Sequence, residues 1–137
     1  MFKLGIIGTG SISHEFIKAA HSTGDYHLAA VYSRTLASDE RFVKNYENTA
    51  IFTEMLDFLS SDIDVVYLAS PNSLPFKDAK VAILTRKHVI VEKPAVSRPK
   101  ELRELVKLAD EHQVYLFEAA RNYHEQAFDT ISDFLKD

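Results

Sequence analysis

The sequence predicts an α/β fold, a doubly wound and mostly parallel sheet of six strands with helices on both faces. Three observations predict it. Short apolar runs alternate with amphipathic stretches along the whole chain, the pattern of strand–helix repeats joined by right-handed crossovers. The runs are continuously apolar, as in Asp64 to Ala69 (Asp-Val-Val-Tyr-Leu-Ala), which suits strands covered by helices on both sides. The unusual segments fall at the carboxyl ends of these runs, where open α/β sheets bind ligands.

Taken in order, Leu4 to Gly8 reads as the first strand, and Ile12, Phe16, Ala19 and Ala20 follow at helical spacing. Leu28 to Tyr32 is a second strand, Thr35 to Tyr46 a helix, Ala50 to Phe52 a short strand and Glu54 to Leu59 a brief helix. Asp64 to Ala69 is the clearest buried strand, broken by Ser-Pro-Asn at 70–72, and Phe76, Ala79 and Ile83 mark one face of the helix after it. His88 to Val91 is another strand, ended by Glu92-Lys93-Pro94. Ser97 is the expected N-cap of the next helix, with Pro99 in its first turn and Leu102, Leu105, Val106 and Ala109 as its apolar stripe. Glu101, Arg103, Glu104, Lys107 and Asp110 form the solvated face of that helix. Val114 to Phe117 is the sixth strand, and a last helix carries Phe128, Ile131 and Leu135.

A chain of 137 residues points to one domain spanning 1–137, large enough to bury a core unaided. It contains no cysteine, which excludes disulfides, thiolate catalysis and cysteine-bound zinc. A net charge of -4 gives no basic surface for nucleic acid, and the apolar runs are too short to span a membrane. Phe2 to Ile7 runs straight into a glycine turn and has no signal-peptide pattern, so the expected location is the cytoplasm. The histidines at 14, 21, 27, 88, 112 and 124 lack ligand spacing and predict no metal site. His14 is expected on the surface of the first helix, and Tyr123-His124 either edges an active site or packs a helix start.

Gly8-Thr9-Gly10-Ser11-Ile12-Ser13 lies between the first strand and its helix, the setting of a dinucleotide-binding loop. Gly8 permits the tight turn, and Gly10 has no side chain to keep a pyrophosphate from the backbone. The amides that open the helix then face the anion. Ser13 stands where glycine or alanine is usual, although it is small enough for close packing. The second strand ends Val31-Tyr32-Ser33-Arg34, with no acid at its tip. Asp39 is the nearest downstream acid. An acid here would bind a ribose 2′-hydroxyl, whereas the Ser33 hydroxyl and the Arg34 guanidinium suit a 2′-phosphate. The expected cofactor is therefore NADP, with NAD as the alternative.

Three segments, Gly-Ile-Ile-Gly-Thr-Gly-Ser-Ile at 5–12, Ala-Ser-Pro-Asn-Ser-Leu at 69–74 and Glu92-Lys93-Pro94, occur in this order and spacing. Together they resemble the glucose–fructose oxidoreductase/inositol dehydrogenase/rhizopine catabolism (Gfo/Idh/MocA) family, over essentially the whole chain. The resemblance implies an N-terminal Rossmann domain that binds NAD or NADP. It implies that Lys93 lies near the nicotinamide and holds or polarises the oxygen at the reacting carbon, and that Glu92 contributes to the cofactor pocket. It places Ala69, Ser70, Pro71, Asn72 and Leu74 beside the cofactor's ribose and nicotinamide, and Arg121 near the active site. In some members the bond before the proline is cis. Chemistry supports Lys93 independently, because an ammonium beside the oxygen stabilises the alkoxide charge that develops as hydride departs.

The sequence departs from the family at Pro75, where many relatives carry histidine. The family also has a C-terminal domain that supplies substrate pocket, acid–base residues and oligomer interface. The resemblance therefore implies that the 137 residues bind cofactor but do not complete a catalytic site. Phe128 and Phe134 are expected to pack the last helix, and exposure of either would favour a homo-oligomer. Two functions compete at this stage. One is the cofactor domain of an oxidoreductase acting on a hydroxyl or carbonyl of a sugar, cyclitol or related small molecule. The other is a non-catalytic nicotinamide-binding or redox-sensing module on the same fold.

Overall fold

The computed structural model describes residues 1–33, 41–69 and 75–120. Among the described residues the elements follow in the order β1 (Phe2–Ile7), α1 (Ser11–Ser22), β2 (Tyr26–Tyr32), β3 (Ala50–Phe52), α2 (Met55–Ser60), β4 (Val65–Leu68), α3 (Pro75–Leu84), β5 (His88–Glu92), α4 (Pro99–His112) and β6 (Leu116–Ala119). The strands form one sheet in the order β3-β2-β1-β4-β5-β6. Every strand pairing among the described residues is parallel. The chain leaves β1 toward β2 and β3, then returns to add β4 on the other side of β1. That reversal opens a crevice above the carboxyl ends of β1 and β4.

Alternation along each strand divides the core. Leu4, Ile6, Val31 and Tyr67 face α1, where Ile17 is fully buried against them. Ile7, Val66, Val89 and Val91 face the other way and meet Phe58, Ile83 and Leu105 of α2, α3 and α4. Each fully buried aliphatic side chain contributes about 1.5–3 kcal/mol relative to exposure. Gly5 is where β1 must be thin, because a Cβ there would lie 2.7 Å from Phe58 Cζ and 2.8 Å from Ile63 Cδ1.

Several expectations are corrected. The buried face of α1 is Ser13, Ile17 and Ala20, while Ile12 and Ala19 are exposed. The N-cap of α4 is Arg98, not Ser97, because Pro99 occupies the first helical position. No side chain caps that helix, and Arg98 pairs with Glu101 instead. On α4, Leu105 and Ala109 are buried but Leu102 and Val106 are 43% and 47% exposed. The face toward the sheet is centred on Leu105, Leu108 and Ala109, which leaves Leu102 and Val106 at its rim. The sixth strand starts at Leu116 rather than Val114, because α4 ends in a left-handed Gln113 (φ 56°) and the Val114 amide returns to Ala109 O. The helix expected from Thr35 lies partly outside the described residues, and the last one, with Phe128, Ile131, Phe134 and Leu135, lies wholly outside them.

Candidate functional site

The glycine loop joins β1 to α1 beneath the crevice. Gly8 has φ 104°, a conformation that side chains with a Cβ rarely adopt. Gly10 is the N-cap of α1, in extended conformation, and supplies no side-chain cap bond. No acidic residue occupies the helix's first turn. The opening amides of a helix have no intrahelical acceptor, and they carry the positive end of its dipole. A Cβ at Gly10 would meet nothing within 4 Å, so the loop leaves open space beside those amides. Ser13, fully buried, donates its hydroxyl to Gly8 O at 2.7 Å and ties the loop to the helix. An anion such as a diphosphate fits this arrangement of bare loop, open space and uncapped helix.

On the β2 side of β1, Ser33 is half-buried and its amide donates to Phe52 O at 3.2 Å. His14, expected at the surface, is instead half-buried. Its Nδ1 lies 2.7 Å from Tyr46 Oη, and its ring sits 4.1 Å from that of Phe42. Burial raises the Tyr46 phenol above its ordinary pKa.

On the β4 side, Ala69 closes its strand with its amide on Ile7 O at 2.9 Å. Glu92, at the end of β5, accepts a 2.5 Å hydrogen bond from the Tyr67 hydroxyl. Tyr67 is fully buried, its ring stacked 3.7 Å from Phe16, and burial followed by the Glu92 bond raises its pKa. Lys93 follows immediately, exposed at the sheet's carboxyl edge, with a cis bond to Pro94. It joins none of the ion pairs among the described residues. Next to Glu92, Ile12, Phe16, Tyr67, Glu118 and Ala119 line a cleft of about 340 Å³. Glu118 accepts the Ala95 amide at 2.9 Å, which anchors the turn that carries Lys93.

The fold therefore gathers Gly8, Thr9, Gly10, Ser11, Ile12, Ser33, Ala69, Glu92 and Lys93 at one edge of the sheet. Arg34, Ser70, Pro71, Asn72, Leu74 and Arg121 lie outside the described residues, as do Asp39, Tyr123 and His124. Pro75 opens α3. Sequence reasoning missed Tyr67, although a signal existed. A tyrosine inside a buried strand needs a partner for its hydroxyl. Tyr67 pairs in register with Ile90, which puts Glu92 two residues farther along the same face. Among the described residues no group of three His, Asp or Glu could hold a metal, and no helix is long and apolar enough to cross a membrane.

A family profile described as the NAD-binding Rossmann fold of an oxidoreductase family, Gfo/Idh/MocA, matches residues 2–120. The chain belongs to the Gfo/Idh/MocA family. Among curated relatives, it is 39% identical over 130 residues to the uncharacterized oxidoreductase YgjR of Escherichia coli, covering 90% of this chain and 40% of that protein. It is 35% identical over 122 residues to scyllo-inositol 2-dehydrogenase (NADP(+)) IolU of Bacillus subtilis, covering 88% and 37%. The chain thus spans about two fifths of the length of these relatives. Its fold matches a 3-ketoreductase from Actinomadura kijaniata solved with NADP and TDP-benzene, at a TM-score of 0.90 and 23% identity, over 98% of this chain and 42% of the other. It matches WlbA dehydrogenase from Bordetella pertussis, solved with NADH and UDP-GlcNAcA, at 0.90 and 24%, over 98% and 41%.

Proposed function

We propose that this chain is the cofactor-binding part of an oxidoreductase that moves hydride between NADP and a hydroxyl or carbonyl carbon of a sugar, cyclitol or related small molecule. The carrying observation is one edge with two halves: an uncapped helix end under a bare glycine loop, and Lys93 across β1 from it at the end of β5. The curated relative IolU, named for an NADP(+)-linked inositol dehydrogenation, supports both the cofactor and the substrate class. Ser33 and Arg34 at the end of β2 support NADP over NAD through their fit to a 2′-phosphate.

In this reading the Gly8–Ile12 amides hold the diphosphate, and the 69–74 loop with Ala69, Ser70, Pro71, Asn72 and Leu74 flanks the ribose and nicotinamide. Arg121 borders the same region. When bound, the nicotinamide supplies the hydride acceptor or donor. Lys93 presents its ammonium to the substrate oxygen and stabilises the negative charge that develops there; the hydroxyl proton passes to an acid–base residue in the sequence that relatives carry beyond the matched part, and comes back from it when a carbonyl is reduced. Tyr67 holds Glu92 in place by its 2.5 Å hydrogen bond, and so fixes the strand end from which Lys93 projects. We assign residues 1–137 to one dinucleotide-binding domain that works in the cytoplasm. The substrate pocket and any oligomer contact are assigned to sequence that relatives carry beyond the matched part.

Titration of NADPH and NADH with the purified 137-residue chain, followed by nicotinamide fluorescence, tests the reading. Tight NADPH binding that weakens toward NADH affinity in Arg34→Ala is the expected result. Absence of binding to either nucleotide would falsify it. Binding without turnover in the longest natural form of the protein would favour the sensing module instead.

A further inference from the structure

Thr9, His14, Arg41 and Phe42 line a cleft of about 400 Å³ that opens directly off the glycine loop. Thr9 lies between the two loop glycines, so the cleft adjoins the space left open beside the α1 amides. Its position relative to β1 identifies which half of a dinucleotide reaches it. Phe42 packs with Leu28 and Val31 of β2, whereas Glu92 and Lys93 stand on β5, beyond β4 on the opposite side of β1. With the reacting end at Lys93, the cleft faces the adenosine half.

The cleft's chemistry is that of an anion site. Among the described residues its lining brings a hydroxyl, an imidazole and a guanidinium, and no carboxylate. His14 is held in place, its ring against Phe42 at 4.1 Å and its Nδ1 2.7 Å from Tyr46 Oη. Burial favours the protonated phenol of Tyr46. Where that phenol donates to Nδ1, the neutral imidazole carries its proton on Nε2 and is a donor there. His14 also lines a second cleft, together with Tyr46, Glu15, Lys18 and Glu47.

Beyond the diphosphate, the adenosine half of NADP differs from that of NAD by one anionic group, the 2′-phosphate. We infer that His14 and Arg41 form a wall of the site for that 2′-phosphate and are specificity-determining residues for NADP. This rests on the NADP reading above.

Two fragments differing only by that phosphate, adenosine 2′,5′-bisphosphate and adenosine 5′-monophosphate, provide the test in calorimetric titrations of the full 137-residue chain. The wild-type chain is expected to prefer the bisphosphate. His14→Phe keeps the ring against Phe42 and removes the donor, and Arg41→Gln removes the cation. Each is expected to weaken the bisphosphate about tenfold, the effect of losing one charge-assisted hydrogen bond, and to leave the monophosphate unchanged. A bisphosphate preference that Arg34→Ala abolishes but both of these variants retain would overturn this inference and leave NADP binding intact. Equal affinity of the wild-type chain for both fragments would overturn the NADP reading and this inference together. Equal losses for both fragments in His14→Phe, with Arg41→Gln silent, would show a packing role and also overturn it.

Discussion

At the level of single residues, Gly10 separates folding from binding. Its backbone is extended, so alanine fits there without strain, and the added methyl would meet no protein atom within 4 Å. Gly10→Ala is therefore expected to melt within a degree or two of the parent. It should bind NADPH at least about tenfold more weakly, because the methyl enters the diphosphate's space. Calorimetry and thermal melting of the same sample check both halves, and unaltered NADPH affinity would place the diphosphate elsewhere. Tyr67 gives a second prediction, on pH. In the unfolded chain its phenol ionises near pH 10, whereas in the fold burial and Glu92 hold the proton to higher pH. Its contribution to stability is thus complete below about pH 10 and declines as pH rises above that. Tyr67→Phe is expected to lose about 1.5–3 kcal/mol at neutral pH, as for a hydrogen bond to a charged group, and to show a shallower alkaline decline in urea unfolding. The glycines and Lys93 were legible because they stand at strand ends in a recognisable order. Ser13 was not: it looked like a defect in the glycine pattern, and only its 2.7 Å bond to Gly8 O gives the hydroxyl a purpose.

Among elements, β1 tolerates the least change. Gly5 faces Phe58 and Ile63 at separations no real Cβ can keep, and Phe58 is fully buried. Gly5→Ala is expected to destabilise by about 1–3 kcal/mol through overpacking, measured as a lower urea midpoint with unchanged slope. A neutral result would mean that α2 shifts freely on the sheet. Strand and helix order was legible throughout the described residues, because continuous apolar runs and amphipathic stretches differ in period. Faces were harder. On α4, Leu102 and Val106 belong to an apolar set by sequence, yet the direction from which α3 and the sheet approach puts them at the rim. On α1, Ile12 lies outside the buried stripe and lines the cleft beside Glu92, a choice made by tertiary packing rather than by periodicity.

For the whole molecule, the chain's span of about two fifths of its relatives' length sets the expectation that the 137-residue polypeptide binds nicotinamide nucleotide with little or no turnover. Stopped assays with sugars and cyclitols check this, and robust dehydrogenase activity would refute it. The parallel sheet also brings the strands' carboxyl ends to one rim, so in the proposed reading residues as distant as Ser33 and Lys93 serve one elongated ligand. The bare start of α1 carries a further consequence, for survival rather than chemistry. Among the described residues no side chain caps that helix end. A dinucleotide seated there would finish it, so the population of opened chains should track the nucleotide supply. At a hundred times the dissociation constant the gain is about 2.7 kcal/mol, and the half-life under dilute thermolysin should lengthen roughly a hundredfold.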